Sequence, residues 1–209
     1  MTTDSTTSAV LLGEPLPIEL MNTVSIARGQ IQDALDTDAG AASWLNAVAH
    51  RFQTEGGIPL EPLDADQARP AAAHLRQLRS ALRHLATEAT GDPRPAATAP
   101  TLTRAEAVAA VNNRSQAWPQ LSWPGDTGPT RTYHGPGTVQ DLAVQFIAHQ
   151  AVELFTGSDH ERLRPCLAPN CLLFFVKNHP RREWCSPVCG NRVRVARHYR
   201  RHHTSEGRS

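Results

Sequence analysis

Four cysteines, the only ones in the chain, lie within twenty-four residues as Cys166-x4-Cys171 and Cys185-x3-Cys189. Two close pairs at this separation have the spacing of a zinc site. A tetrahedral zinc ion takes four thiolates at about 2.3 Å, and each close pair can come from one tight turn or helix start. Four thiolates complete the shell, whereas a catalytic zinc keeps a position open and usually takes histidine. The expected chemistry is therefore structural. Two disulfides would be the competing use of these residues, and they persist only in an oxidising compartment. Met1 to Val10 has neither the basic residue nor the apolar run of a secretory signal, and no segment approaches the roughly 18 apolar residues of a membrane span. One zinc ion on Cys166, Cys171, Cys185 and Cys189, in a cytoplasmic protein with no membrane contact, is the expectation.

The charge distribution around these cysteines is uneven. From Glu161 to the end there are eleven Lys or Arg against three Glu, a net +8, which leaves −7 for the first 160 residues. Ten of the eleven cations are arginine, whose planar fork matches phosphates and guanine edges. Ser186-Pro187 has the form of a helix cap followed by proline at the first helical position, which puts Cys189 in the first turn. On that helix Val188, Val195 and Tyr199 share one side, expected to pack on the cysteine turn. Arg194, Arg197, His198 and Arg201 share the opposite side. Arg181, Arg182, Arg192, Arg194, Arg197, His198, Arg200 and Arg201 are the candidate DNA contacts, with Arg181 and Arg182 gripping the adjoining backbone. His179, His202 and His203 are not needed as ligands beside four thiolates.

The string Cys185-x3-Cys189-Gly190-Asn191-Arg192, preceded by a C-x4-C pair and followed by a basic helix, resembles the CGNR zinc-finger family over roughly Arg162 to His203. Proteins of that family generally carry an N-terminal domain called ABATE, and Ile18-Glu-Leu-Met-Asn-Thr23 is similar to its Leu-Asp-x-x-Asn-Thr opening, with Glu19 where Asp is usual. The resemblance implies a bacterial, stress-responsive transcription regulator whose finger binds DNA and whose N-terminal domain senses a ligand. Gly190 and Asn191 are poor helix formers in an early turn. A close backbone approach at Gly190, an Asn191 that bonds locally or reaches a partner, and a mere shaping of the metal turn are the alternatives.

The rest of the chain must position this module. Residues 1–10 read as a disordered lead-in, 11–160 as the N-terminal domain, 161–203 as the finger and 204–209 as a disordered tail. Leu16, Leu20, Val24 and Ala27 recur at helical spacing, with Gly29 near the end. Ala41, Trp44, Leu45, Val48 and Phe52 share one face of a helix over 38–56 that stops at Gly56-Gly57. Leu75, Leu78, Leu82 and Leu85 line a longer helix with Arg76, Arg79 and Arg83 outward and Pro70 at its start or a kink. The Pro- and Ala-rich segment 91–100 is a loop. Thr103 and Glu106 form a capping box for a short helix. Trp118 to His134 reads as a β-hairpin. Thr138 and Asp141 open a helix apolar on more than one face, a candidate surface for a homodimer. The fold class is thus mainly α with some β (α+β): a helical domain with a small hairpin, and a treble-clef-like zinc knuckle ending in a basic helix.

A DNA-binding regulator is the function these features favour. The alternatives are a zinc-stapled protein-interaction module, in which the arginines meet an acidic partner, and a small-molecule sensor. No nucleophile elbow, phosphate-binding glycine loop or metalloprotease helix is present, so no enzyme is expected.

Overall fold

The computed structural model describes residues 9–94, 101–125 and 127–206, without the side chains of 201–206. Most of the expected lead-in, the core of the 91–100 loop, the Arg201 side chain and residues 207–209 lie outside the described part.

Pro15 leads into α1 (Leu16–Met21), all six residues of which are buried. The helix stops there, six residues short of the expected Ala27. Val24–Ala27 (β1) and Gln30–Asp33 (β2) instead pair as an antiparallel hairpin. The periodicity was shared by a short helix and a strand. The turn residues Arg28 and Gly29 both have positive φ, 52° and 78°, the two-residue turn whose twist matches paired strands. Gly29 therefore serves a hairpin and not a helix end.

Helix α2 (Asp38–Gly56) is capped by the Thr37 hydroxyl and ends at Gly57 in the left-handed region, φ 63°. Helix α3 (Ala65–Thr90) opens on an Asp64/Gln67 capping box and carries Pro70 inside it. Helix α4 (Arg104–Arg114) has the Thr103/Glu106 box. The expected hairpin is β3 (Trp118–Ser122) with β4 (Thr130–His134). Helix α5 (Val139–Thr156), boxed by Thr138 and Asp141, follows. Its Ala143, Val144, Phe146, Ile147, Ala148, Ala151 and Leu154 are all buried in the chain's own core. The breadth of its apolar surface reflects neighbours in the same molecule, α1, α3, α4 and β4, so most of the expected homodimer surface is covered within the chain, with Val152 left exposed.

A 3-10 turn (His160–Arg162) leads into β5 (Leu163–Pro165), antiparallel to β6 (Phe174–Val176). Helix α6 (Pro187–Glu206) closes the fold and passes the expected start of the disordered tail. The β5–β6 ribbon belongs to two cores at once. Leu163, Phe174 and Val176 are buried among α1, α3 and α5, whereas Leu173 and Phe175 pack with the four cysteines. Strand alternation explains this, because successive side chains point to opposite faces. No described helix is long and apolar enough to cross a membrane.

Candidate metal centre

The four sulfurs converge. Each of the four cysteines is buried, and their Sγ atoms all lie within 4.8 Å of one another. The Cys185–Cys189 and Cys171–Cys185 sulfurs are 3.5 and 3.8 Å apart. A tetrahedron with Zn–S near 2.3 Å has edges of about 3.8 Å, while a disulfide needs about 2.05 Å. The donor set therefore fits one zinc ion and not two disulfides.

Local structure presents the ligands. In the Cys166–Cys171 knuckle Asn170 takes a positive φ of 54°, and the backbone N–H groups of Ala168 and Leu173 donate to the sulfurs of Cys166 and Cys171. Ser186 Oγ accepts from Cys189 N at 3.3 Å, as an N-cap should. The crowded sulfurs divide their protons unequally: S–H donation from Cys171 and Cys185 brings the Cys166 thiol down to about 2. The hydrogen bond to Cys166 in turn pushes Cys171 up to about 12 and raises Cys185 as well. A dication converts such a set into four thiolates and releases the protons.

The CGNR residues have separate tasks. A Cβ on Gly190 would stand 3.2 Å from Trp184 Cδ1, so glycine lets the indole settle over the helix start. Arg192 turns back and donates from Nη1 to the Pro169 and Asn170 carbonyls at 2.7 and 2.9 Å, which ties α6 to the knuckle. Asn191 is exposed and accepts from Arg194 Nη2 at 3.4 Å.

Metal ligation sets the phase of α6. Because Cys189 must face the ion, Gly190 and Val193 are buried, while Val188, Val195 and Tyr199 are exposed. The apolar stripe expected to pack on the knuckle faces solvent instead. At about 100° per residue, Arg194 and His198 fall about 140–180° round the helix from Cys189, on the side farthest from the metal.

Residues 14–158 match the family ABATE, described as "Putative stress-induced transcription regulator", and residues 162–202 match the CGNR zinc finger. The chain belongs to the ABATE family. No curated protein matches it.

In this ABATE protein the family's opening motif is a joint to the finger. Phe174 and Val176 point their peptide groups away from β5, leaving a free strand edge. Asn22 covers it as another strand's peptide would: Oδ1 accepts from Phe174 N at 2.8 Å and Nδ2 donates to Phe174 O at 3.0 Å. Glu14 Oε2 accepts from Val176 N at 3.0 Å. Glu19 accepts the backbone N–H groups of Leu12 and Glu14, which holds Leu12 against the cysteine cluster. Burial pushes the Glu19 carboxyl up, and the Glu14 and Leu12 hydrogen bonds offset this only partly.

Arginines complete the joint. Arg182, expected on DNA, pairs with Glu14 at 2.5 Å and donates to the Val176 and Cys185 carbonyls, with its guanidinium 4.9 Å from the Phe175 ring centroid. It is committed inside the molecule. Arg83, expected outward, is buried and donates to Met21 O at 2.9 Å and to Leu172 O at 3.4 Å. Arg94 donates to the Cys171 and Leu173 carbonyls at 3.3 and 3.2 Å. The guanidinium carbons of Arg83 and Arg94 lie 5.5 and 4.7 Å from the Phe174 ring centroid. Of the joint residues, only Asn22 and Glu19 had a signal in the sequence, through the motif they belong to.

Proposed function

We propose that this ABATE protein is a non-catalytic, cytoplasmic transcription regulator that contacts DNA through the exposed face of α6, while its N-terminal domain senses a ligand or stress. The observation that carries the proposal is the state of the finger's arginines. Arg181, Arg194 and Arg197 are exposed and have no carboxylate partner among the described residues, although the N-terminal body carries an excess of acid. Attraction between the two halves would have neutralised them. Val195 and Tyr199 lie beside Arg194 and His198 on the same exposed side, and such apolar neighbours suit contact with thymine methyls next to arginine–guanine pairs. Arg192 and Arg182 have no part in this surface. They hold the scaffold that aims it.

Titration of the zinc-loaded chain against random duplex DNA at two salt concentrations tests the proposal. Three phosphate contacts give a log–log slope of about −2.7, and hence roughly forty-fold weaker binding between 50 and 200 mM salt. The R194A/R197A double variant should bind more weakly at low salt, with a slope shallower by about 2. Absence of salt-sensitive binding in the zinc-loaded chain would reject the proposal and favour an acidic protein partner.

A further inference from the structure

Between α3, α4 and α5 the N-terminal domain encloses a recess of about 380 Å³, within the range of small-molecule sites, about 300–1,000 Å³. Its walls are mainly apolar, with Leu85 from α3, Val108 and Val111 from α4, and Val152 and Phe155 from α5. Val108 and Val152 are left 42% and 36% exposed there. The polar groups are few. Arg104 Nε donates to Glu88 Oε1 at 2.8 Å across the α3–α4 side, so the two charges offset each other at this edge and the lining presents no net charge to a guest. The side-chain amide of Asn112 has no hydrogen-bond partner among the described residues. His160 makes an edge contact with Phe155, ring centroids 6.5 Å apart.

From this lining we infer that the recess binds an uncharged, mainly apolar small molecule carrying one hydrogen-bonding group, its apolar part against Val108, Val152 and Phe155 and its polar end toward Asn112 or His160. The site touches both routes to the finger. Leu85 and Glu88 lie on α3 just beyond Arg83, which bonds to Leu172 O. His160 begins the turn that runs into β5 and Cys166. The binding site stands independently of DNA recognition by α6, and only its regulatory meaning rests on that function.

The neutral solvatochromic dye N-phenyl-1-naphthylamine, titrated into the zinc-loaded full chain, tests the inference. The expected result is a saturable, blue-shifted emission with one dye per chain and no change in sedimenting mass. V152W, which fills the recess from a half-exposed position, should weaken binding at least ten-fold at an unchanged melting temperature; V108W provides the same test should V152W not fold. L121S, which removes an exposed leucine on the β3–β4 hairpin, should leave binding unchanged. Wild-type affinity in both filling variants, or loss of the signal in L121S, overturns the inference. So does emission that appears only with dimer formation, which would make the recess a surface for a second copy. DNA affinity enters none of these readouts, so failure here leaves DNA recognition by α6 standing, and the reverse.

Discussion

Asn22 has the most concentrated task of any single residue outside the cysteines. It is fully buried and satisfies both peptide groups of Phe174 on the edge of β6 that faces away from β5. Buried polar groups left without partners cost about 1–3 kcal/mol each. Asn22→Ala should therefore destabilise the protein by about 3 kcal/mol in urea unfolding. It should also speed zinc transfer to a chelator, because β6 runs between the joint and the ligand turn. An Asn22→Ala protein with wild-type stability and wild-type zinc transfer would show that the motif has another task. The CGNR residues are likewise distinct: Asn191 is exposed, while buried Gly190 and half-buried Arg192 shape the finger.

Helix α3 joins three parts of the fold with arginines that look, by periodicity, like solvent residues. Arg79 holds the β1–β2 hairpin through a two-pronged contact with Asp33, 2.5 and 2.7 Å, and a bond to Thr23 Oγ1. Burial by itself raises the Asp33 carboxyl, but the hydrogen bonds and charge of Arg79 outweigh it, and the net direction is below the ordinary 3.8. The sign follows from linkage. A depressed carboxyl contributes stability that is fully present above about pH 3.8 and is lost as pH falls through the lower, folded-state value. Asp33→Asn leaves Arg79 buried without its counter-charge, so it should cost about 3 kcal/mol at pH 7. The gap to wild type should narrow as pH drops below 3.8 in acid unfolding series. A gap independent of pH would mean that shape, not charge, holds the hairpin. Helix α2 was legible from its one-sided apolar period and its glycine stop, and α5 from its capping box and long apolar run. The first hairpin was hidden because four-residue strands are too short to impose a period of two against a helical coincidence.

For the whole molecule, the zinc finger and the ABATE domain share the β5–β6 ribbon and cannot be expected to unfold separately. Structural zinc contributes on the order of 10–16 kcal/mol in small finger peptides. Chelation should therefore lower the melting temperature of the entire chain, by about 10 °C or more, in one calorimetric transition. Two transitions, with the larger unmoved by chelator, would refute a shared core. The sequence alone was sufficient for the metal ligands, the four long helices, the pairing of β3 with β4 and the family, because ligand spacing, capping and periodicity act over a few neighbouring residues. It was not sufficient for the direction in which the arginines point or for the rotation of α6. Those depend on partners farther along the chain: Glu14 and Asn22 meet β6 across about 150 to 160 residues, and Cys189 turns its helix toward the point where its sulfur and that of Cys185 meet those of Cys166 and Cys171 from the preceding knuckle. A local pattern can say that a guanidinium needs an acceptor, but only the folded chain determines which carbonyl or carboxylate comes within reach.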